Sequence, residues 1–317
     1  MSISTQPGWE RQLLEKLATE SLHEKRRGRR WGIFFKLLVL AWLTGVIWFT
    51  LLSQSGLDRL DLSSEHTALV RLQGIISDTD GVEADRIIEG LRQAFDHPGT
   101  QAVILRINSP GGLPVQSSHI HKAVVRLREQ NPDIPLYAVV DDICASGAYY
   151  VAAAAERIYV NESSLVGSIG VRLDSFGLTG AMEKIGVERR LYTAGSYKGM
   201  LDPFSPVTEA ERQHTDQMLN ELHQTFIQAV RAGRGDRLSD NPDLFSGLVW
   251  TGQRSIQLGL ADAIGNTSSV ARDVIQQSHL VDFTPQVDPL ERLTDHLMLS
   301  VRQTLSQWLA RPSQLIY

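Results

Sequence analysis

Ser146 lies where a predicted strand runs into a predicted helix, a position that suits a nucleophilic hydroxyl. The strand Leu136–Val140 leads into Asp141-Asp-Ile-Cys-Ala-Ser146-Gly-Ala-Tyr-Tyr150, and four alanines follow at 152–155. The free N–H groups at the start of a helix favour negative charge, so a serine there can attack a carbonyl while neighbouring N–H groups receive the developing oxyanion. The alternative is that Ser146 only caps the helix, which is a very common use of serine.

A base must activate this hydroxyl, and Lys198 is the candidate that remains. His119 and His121 stand two apart in a predicted helix, where side chains diverge, and this weakens both a Ser–His–Asp arrangement and a metal site. Neither a G-x-S-x-G elbow nor an H-E-x-x-H helix surrounds these residues. A lysine acts as a base only when burial lowers its pKa from about 10.4 toward ~7–8. The alternative for Lys198 is a solvated surface lysine.

A second turn, Asn108-Ser-Pro-Gly-Gly112, follows the predicted strand Ala102–Ile107. Its proline fixes one φ angle and its paired glycines permit close approach, so a peptide backbone or an oxyanion could lie against it; an ordinary strand-to-helix turn is the alternative. Cys144 is the single cysteine, which excludes an internal disulfide. Because nothing nearby marks an activated thiolate, we expect Cys144 to be a packing residue.

Strand and helix signals alternate after about residue 67, which predicts βαβ units and an α/β fold. Thr208-x-x-Glu211 resembles a capping box and marks the start of a long helix. Besides the strands already named, the predicted elements are a strand at Thr67–Gln73, helices near Val82–Asp96, Val115–Glu129 and Ser146–Glu156, a strand at Ile158–Val160, a helix at Phe176–Ile185, a strand at Glu188–Thr193 and a helix at Thr208–Arg231.

The N-terminal region predicts a membrane anchor. Five basic residues between 25 and 30 precede an apolar stretch from Ile33 to Leu52, and about twenty helical residues span the roughly 30 Å hydrocarbon layer. The positive-inside rule then places residues 1–30 in the cytoplasm and the rest of the chain across the membrane. A cleaved signal peptide with small residues at Ser53 and Ser55 is the alternative.

Charge and the C-terminal pattern give two further expectations. The net charge of -5 provides no global basic field, so there is no electrostatic case for nucleic-acid binding. Residues 290–309 place apolar side chains at helical spacing, which predicts an amphipathic helix. It could dock on the same domain, on a partner subunit or on the membrane surface. These apolar residues are Leu293, Leu297, Val301, Leu305 and Trp308.

Four ordered motifs resemble the signal peptide peptidase A family, in its short bacterial form, and the resemblance extends over about residues 69–266. The motifs are Asn108-Ser-Pro-Gly-Gly112, Ala145-Ser-Gly-Ala-Tyr-Tyr150, Gly167-Ser-Ile-Gly-Val171 and Tyr197-Lys198. The resemblance implies an α/β fold of repeated βαβ units, similar to the Clp protease subunit and the crotonases. Residue by residue, it implies that Ser146 is the nucleophile, that Lys198 is the general base and that the Ser168 hydroxyl orients this lysine.

The resemblance also implies an oxyanion hole of backbone N–H groups. Gly111, Gly112 and Leu113 in the proline–glycine turn are candidate donors, as is Gly147 beside the nucleophile. Many relatives have glycine or serine where this chain has Leu113, so the donor stays open. No metal or organic cofactor is implied. The implied partners are peptide substrates, the lipid bilayer and further copies of the chain, because short members form ring-like oligomers in which neighbouring protomers contribute Ser and Lys.

Together these features predict a membrane-anchored serine endopeptidase of the bacterial inner membrane, with its catalytic domain outside the cytoplasm. The resemblance implies signal-peptide remnants and other short apolar polypeptides as its substrates. The predicted division is a basic cytoplasmic segment at 1–30, a transmembrane helix at 31–52, a linker at 53–66, a Ser–Lys peptidase domain at 67–277 and a C-terminal amphipathic helical extension at 278–317. A crotonase-like acyl-thioester enzyme and a catalytically inactive membrane scaffold are the alternatives.

Overall fold

The computed structural model describes residues 31, 33–46, 48, 64–78 and 81–285. The chain divides into two units, residues 1–64 and residues 65–317, and each is described by itself. In the first unit, residues 33–46 are helical and their side chains are exposed. Among the described residues, no helix combines the length and the apolar character that a membrane crossing requires. The predicted cytoplasmic segment, the end of the predicted transmembrane helix, most of the predicted linker and the predicted helix at 290–309 lie outside the described residues.

An eight-stranded sheet forms the centre of the second unit. The strand order is β6-β5-β3-β2-β1-β8, and β4 pairs with β3 and β7. All pairings are parallel except that of β5 with β6, which is antiparallel. Because β8 pairs with β1, the sheet includes residues beyond 277, where the predicted peptidase domain ended. The strands are β1 (His66–Gln73), β2 (Thr100–Ser109), β3 (Leu136–Ala145), β4 (Arg157–Val160), β5 (Leu165–Gly167), β6 (Val249–Thr251), β7 (Ala263–Ile264) and β8 (Leu280–Asp282).

The central strands read as almost continuous apolar runs because both faces of the sheet are covered. Alternate residues of β2 show the two faces: Val103 and Leu105 pack into the larger core, whereas Ile104 between them packs into a smaller one with Val139 and Tyr159. Such burial on two sides fixes the register, since a slip by one residue would exchange the two sets of side chains. The carboxyl ends of β2 and β3 are thereby held side by side.

Helices cover the sheet and begin where their sequences favour it. Pro114 occupies the first turn of α2, where a missing N–H costs nothing. The predicted capping box is confirmed, because the Thr208 N–H donates to Glu211 Oε2 (2.7 Å) and the Glu211 N–H donates to Thr208 Oγ1 (3.3 Å). The helices are α1 (Ala84–Asp96), α2 (Pro114–Gln130), α3 (Gly147–Ala152), α4 (Thr179–Ile185), α5 (Glu209–Arg234), α6 (Gly252–Gln257) and α7 (Thr267–Ser269), with 3-10 turns at Gly235–Arg237 and Pro242–Phe245 and a π-helical turn at Val270–Ile275.

Two predicted elements need correction. The strand predicted at Glu188–Thr193 is wrong, since these residues form no regular structure and their side chains are exposed. No described strand lies beside them to complete a ladder. The helix predicted from Ser146 to Glu156 is shorter than expected, because α3 ends at Ala152.

The predicted α/β class is confirmed: the unit is a mixed α/β fold built on a largely parallel sheet. Its parallel pairs are connected by helices, as βαβ units require. The carboxyl ends of β2 and β3 lead into the two turns that the sequence analysis singled out, so the fold positions both turns at one edge of the sheet.

Candidate active site

Ser146 forms a tight turn between β3 and α3. Its φ angle is 52° and its ψ angle is -125°, a conformation that favours glycine. The Ser146 N–H donates to Gly167 O (2.8 Å) and Ser146 O accepts from the Tyr150 N–H (3.0 Å). Ser146 occupies the N-cap position, yet its side chain makes no capping hydrogen bond. A non-glycine residue in such a conformation costs about 1–3 kcal/mol and persists only when its surroundings hold it.

Glycines allow the proline–glycine turn to lie directly against Ser146. Gly111 has φ +100°, and a Cβ there would stand 2.7 Å from Ala145 O and 2.9 Å from Ser146 Cβ. A Cβ on Gly112 would collide with the backbone of Ile76, with which this turn forms an isolated bridge. The turn therefore requires glycine for close backbone contact, which favours a turn shaped for close approach over an ordinary strand-to-helix connection.

The backbone N–H groups beside Ser146 differ in what they bind. The Leu113 N–H donates to Ile76 O (2.9 Å), and the Gly111 N–H donates to Ser109 Oγ (3.1 Å). In the described part of the chain, neither the Gly112 N–H nor the Gly147 N–H has an acceptor. A Cβ on Gly147 would stand 3.2 Å from Gly112 N, so these two free donors lie on neighbouring pieces of backbone.

Ser168 comes directly after Gly167, whose carbonyl accepts the hydrogen bond from the Ser146 N–H. It has φ 52°, and its N–H donates to Leu248 O (2.8 Å). β5 pairs with the end of β3 on one side and with β6 on the other, which brings the turns of Ser146 and Ser168 together. Within the described residues, neither serine hydroxyl has a hydrogen-bond partner. Both are therefore free to bind another group.

Lys198 lies apart from this cluster, on residues 171–207, here called the arm. The arm contains α4, and none of its residues is buried. The Lys198 N–H donates to Gly195 O (3.2 Å), but among the described residues its Nζ makes no hydrogen bond or ion pair. Neighbouring Tyr197 stacks on His214 of α5, with ring centroids 6.5 Å apart. The single chain thus brings Ser146, Ser168 and the glycine turns together and leaves Lys198 exposed.

The other titratable groups near Ser146 are poor bases or nucleophiles. His121 Nδ1 donates to Tyr150 O (3.0 Å), and burial, with a smaller effect of the Lys122 charge, lowers the pKa of His121 to about 4. Cys144 is fully buried, and burial raises the pKa of its thiol, so it stays uncharged. Among the described residues, no group of three His, Cys, Asp or Glu side chains could hold a metal ion.

Sequence reasoning missed two parts of this site. The first is the antiparallel pair of β5 and β6, which holds the turns of Ser146 and Ser168 through Gly167 and Leu248. Its strands are only three residues long, too short for a clear alternating pattern. The second is His223 of α5, whose Nε2 lies 3.1 Å from Ile169 O. A histidine within a long amphipathic helix gives no signal in the sequence.

The model of peptidase family S49 matches residues 128–281, which include Ser146, Ser168 and Lys198. The part of the chain that carries these three residues is similar to peptidase family S49. A putative signal peptide peptidase SppA of Enterococcus faecium is 26% identical over 237 residues, covering 72% of this chain and 68% of that protein.

Two further proteins are similar to this chain over a small part of their length or at low sequence identity. A protein of Brucella abortus named Na(+)/H(+) antiporter NhaA is 45% identical over 182 residues, covering 57% of this chain, and this chain spans only 25% of that protein. The solved structure of the 1510-N membrane-bound stomatin-specific protease, in a serine-to-alanine mutant form, has a TM-score of 0.40 and 12% identity, and covers 70% of this chain and 99% of that one.

Proposed function

We propose that this chain is a serine peptidase with Ser146 as its nucleophile. The observation that carries the proposal is the turn itself: Ser146 stands at a helix cap, its hydroxyl caps nothing, and hydrogen bonds on both sides hold the backbone at φ 52°. A strained serine between strand and helix is the geometry that presents a nucleophile in other hydrolases. The match of residues 128–281 to a peptidase family supports the same assignment.

In the proposed reaction, the neutral Lys198 Nζ accepts the Ser146 hydroxyl proton while Oγ bonds to the substrate's carbonyl carbon. Collapse of the tetrahedral intermediate gives an acyl-enzyme, and the proton passes from Nζ to the leaving amine. Lys198 then takes a proton from water, which attacks the acyl group, and passes this proton to Ser146 Oγ as the acid leaves. Ser168 Oγ, which has no other partner in the described residues, would hold Nζ in place.

We propose the Gly112 and Gly147 N–H groups as the oxyanion donors. Both are unoccupied in the described part of the chain, whereas those of Gly111 and Leu113 already donate to protein acceptors. A preorganised donor needs no rearrangement when charge develops, and a committed one would first have to break its bond. Of the four candidate donors from the sequence analysis, Gly112 and Gly147 are the two that the hydrogen bonding favours.

A second copy of the chain would complete the site. The arm exposes large apolar side chains, with Phe176 at 80%, Ile185 at 74% and Tyr192 at 89% exposure. Exposed apolar surface of this extent is typical of interaction sites. A neighbouring protomer that covered the arm would also desolvate Lys198, and desolvation disfavours a charged amine. We therefore propose a homo-oligomer in which Lys198 of one protomer serves Ser146 of the next.

Substrate and location follow as further parts of the proposal. Short apolar polypeptides, signal-peptide remnants among them, suit a site enclosed by an oligomer, and the Enterococcus faecium relative is named a signal peptide peptidase. The basic cluster before the apolar stretch at 33–52 supports a single membrane anchor with the catalytic domain outside the cytoplasm. Membrane fractionation of the full chain against a chain lacking residues 1–52 tests the anchor.

The decisive experiment measures hydrolysis of a short apolar peptide by the full-length chain in detergent, with Ser146→Ala and Lys198→Ala as variants. Each variant alone should be inactive, and wild-type activity should rise with pH as the lysine loses its proton. A co-assembled equal mixture of the two variants should recover about a quarter of wild-type activity, because a random ring pairs an intact Ser with a neighbour's intact Lys at that frequency.

Each outcome has a distinct meaning. Full activity in either single variant would show that the mechanism is wrong. Inactive variants whose mixture stays inactive would place Ser and Lys in the same protomer. An assembled wild type that cleaves nothing would favour the inactive scaffold, and acyl-thioester binding would favour the crotonase-like enzyme.

A further inference from the structure

His223 of α5 contacts the turn that carries Ser168. Its Nε2 donates to Ile169 O (3.1 Å), and its ring is half-buried. The acceptor is a carbonyl, so Nε2 must carry the proton, and the bond survives in both the neutral and the protonated ring. The contact is therefore a structural tie and not a pH switch.

The His223–Ile169 hydrogen bond lies close to the start of the arm, where the buried part of the chain ends. Ile169 is fully buried, and beyond it no described residue is buried until Phe226 of α5. The His223–Ile169 bond thus joins a residue two positions before the arm to the helix that follows the arm.

The same face of α5 reaches the nucleophile's own helix. Phe226, three residues after His223, packs against Tyr150, with ring centroids 5.1 Å apart. The Tyr150 N–H in turn donates to Ser146 O (3.0 Å). Because residues three apart lie on one helix face, α5 supports both serine turns at once.

We infer that His223 is a positioning residue, which holds the Ser168 turn and, through it, the alignment of Ser146, Ser168 and the arm. The inference rests on the proposed function. Ser168 keeps φ 52° with one backbone bond to Leu248 O, and the His223 bond is the next restraint along the chain. Without it the turn can relax, which misaligns the serines without removing any group that contacts substrate.

The test compares His223→Ala, His223→Gln and His223→Asn in the full-length oligomer, with Gln224→Ala as the control at an exposed neighbour on α5. Gln places an N–H donor near the position of Nε2, whereas the Asn side chain is too short to reach it. We expect kcat to fall about tenfold in the Ala and Asn variants with KM changed less than about twofold, and to recover in the Gln variant. Gln224→Ala should match the wild type.

Amide hydrogen exchange supplies a readout that does not depend on activity. Exchange at the Ser168 N–H, which donates to Leu248 O, should be faster in His223→Ala than in the wild type and should slow again in His223→Gln. If the wild type shows no peptidase activity, the proposed function fails while this exchange pattern still tests the restraint. Unchanged kcat and exchange in His223→Ala would overturn the inference, as would equal losses in the Ala and Gln variants.

Discussion

Replacement of Gly111 by alanine tests whether the glycine turn holds the nucleophile. Gly111 has φ +100°, and the new methyl group would stand 2.7 Å from both Ala145 O and Gly147 N. Left-handed backbone costs a residue with a Cβ about 1–2 kcal/mol, and overpacking against a fixed neighbour adds about 1–3 kcal/mol. We therefore expect the free energy of unfolding to fall by about 2–5 kcal/mol.

Alanine substitutions at two other glycines separate the backbone cost from the overpacking cost. Gly235 has φ +53° with open space around its Cβ position, so Gly235→Ala should show the backbone cost alone, about 1–2 kcal/mol. Gly177 has neither a positive φ nor a close neighbour, so Gly177→Ala should be nearly neutral. Urea unfolding gives the free energies, and the labelling rate of Ser146 by a fluorophosphonate reports the nucleophile. The reasoning fails if Gly111→Ala is no less stable than Gly235→Ala, or if it labels at the wild-type rate.

Two predictions concern buried charge. Because the pKa of His121 is lowered to about 4 from about 6.5, the unfolded chain binds a proton at this residue before the folded chain does as the pH falls. The free energy of unfolding is therefore highest above about pH 6.5 and declines by about 3 kcal/mol as the pH falls through 4. His121→Gln should flatten that part of the profile in urea titrations. Burial raises the pKa of Asp262, but hydrogen bonds from Arg234 outweigh burial and lower it overall. Arg234→Met should cost about 3 kcal/mol in unfolding free energy, and adding Asp262→Leu should restore part of it; an equal loss in the double variant would contradict this.

The sequence predicted the fold where a pattern had only one physical explanation. Continuous apolar runs such as Ala102–Ile107 required a strand covered on both faces, and the capping box at Thr208 required a helix start. The Glu188–Thr193 segment has only two apolar residues, and a strand also needs a neighbour to pair with, which a sequence pattern does not show. Its apolar residues, which include Leu191 and Tyr192, are exposed in the single chain.

The candidate site was predictable to the extent that its residues are marked by local chemistry. Ser146 and the Gly111–Gly112 pair stand at strand ends, where turn chemistry is visible in the sequence. The free Gly112 N–H was not predictable, because it depends on Leu113 donating to Ile76, a residue far away along the chain. The His223 contact is equally remote, since it crosses 54 positions to Ile169.

The two proposed catalytic residues differ in how firmly the single chain holds them. Ser146 is held in a strained turn by two backbone hydrogen bonds, so its geometry exists before any partner arrives. Lys198 lies on an exposed arm with no buried residue, where nothing in the described chain desolvates its amine. A base that requires desolvation would therefore become competent only when the arm is covered. On the proposed mechanism, assembly would control activity through the lysine, and an unassembled chain would carry a prepared nucleophile that does not react.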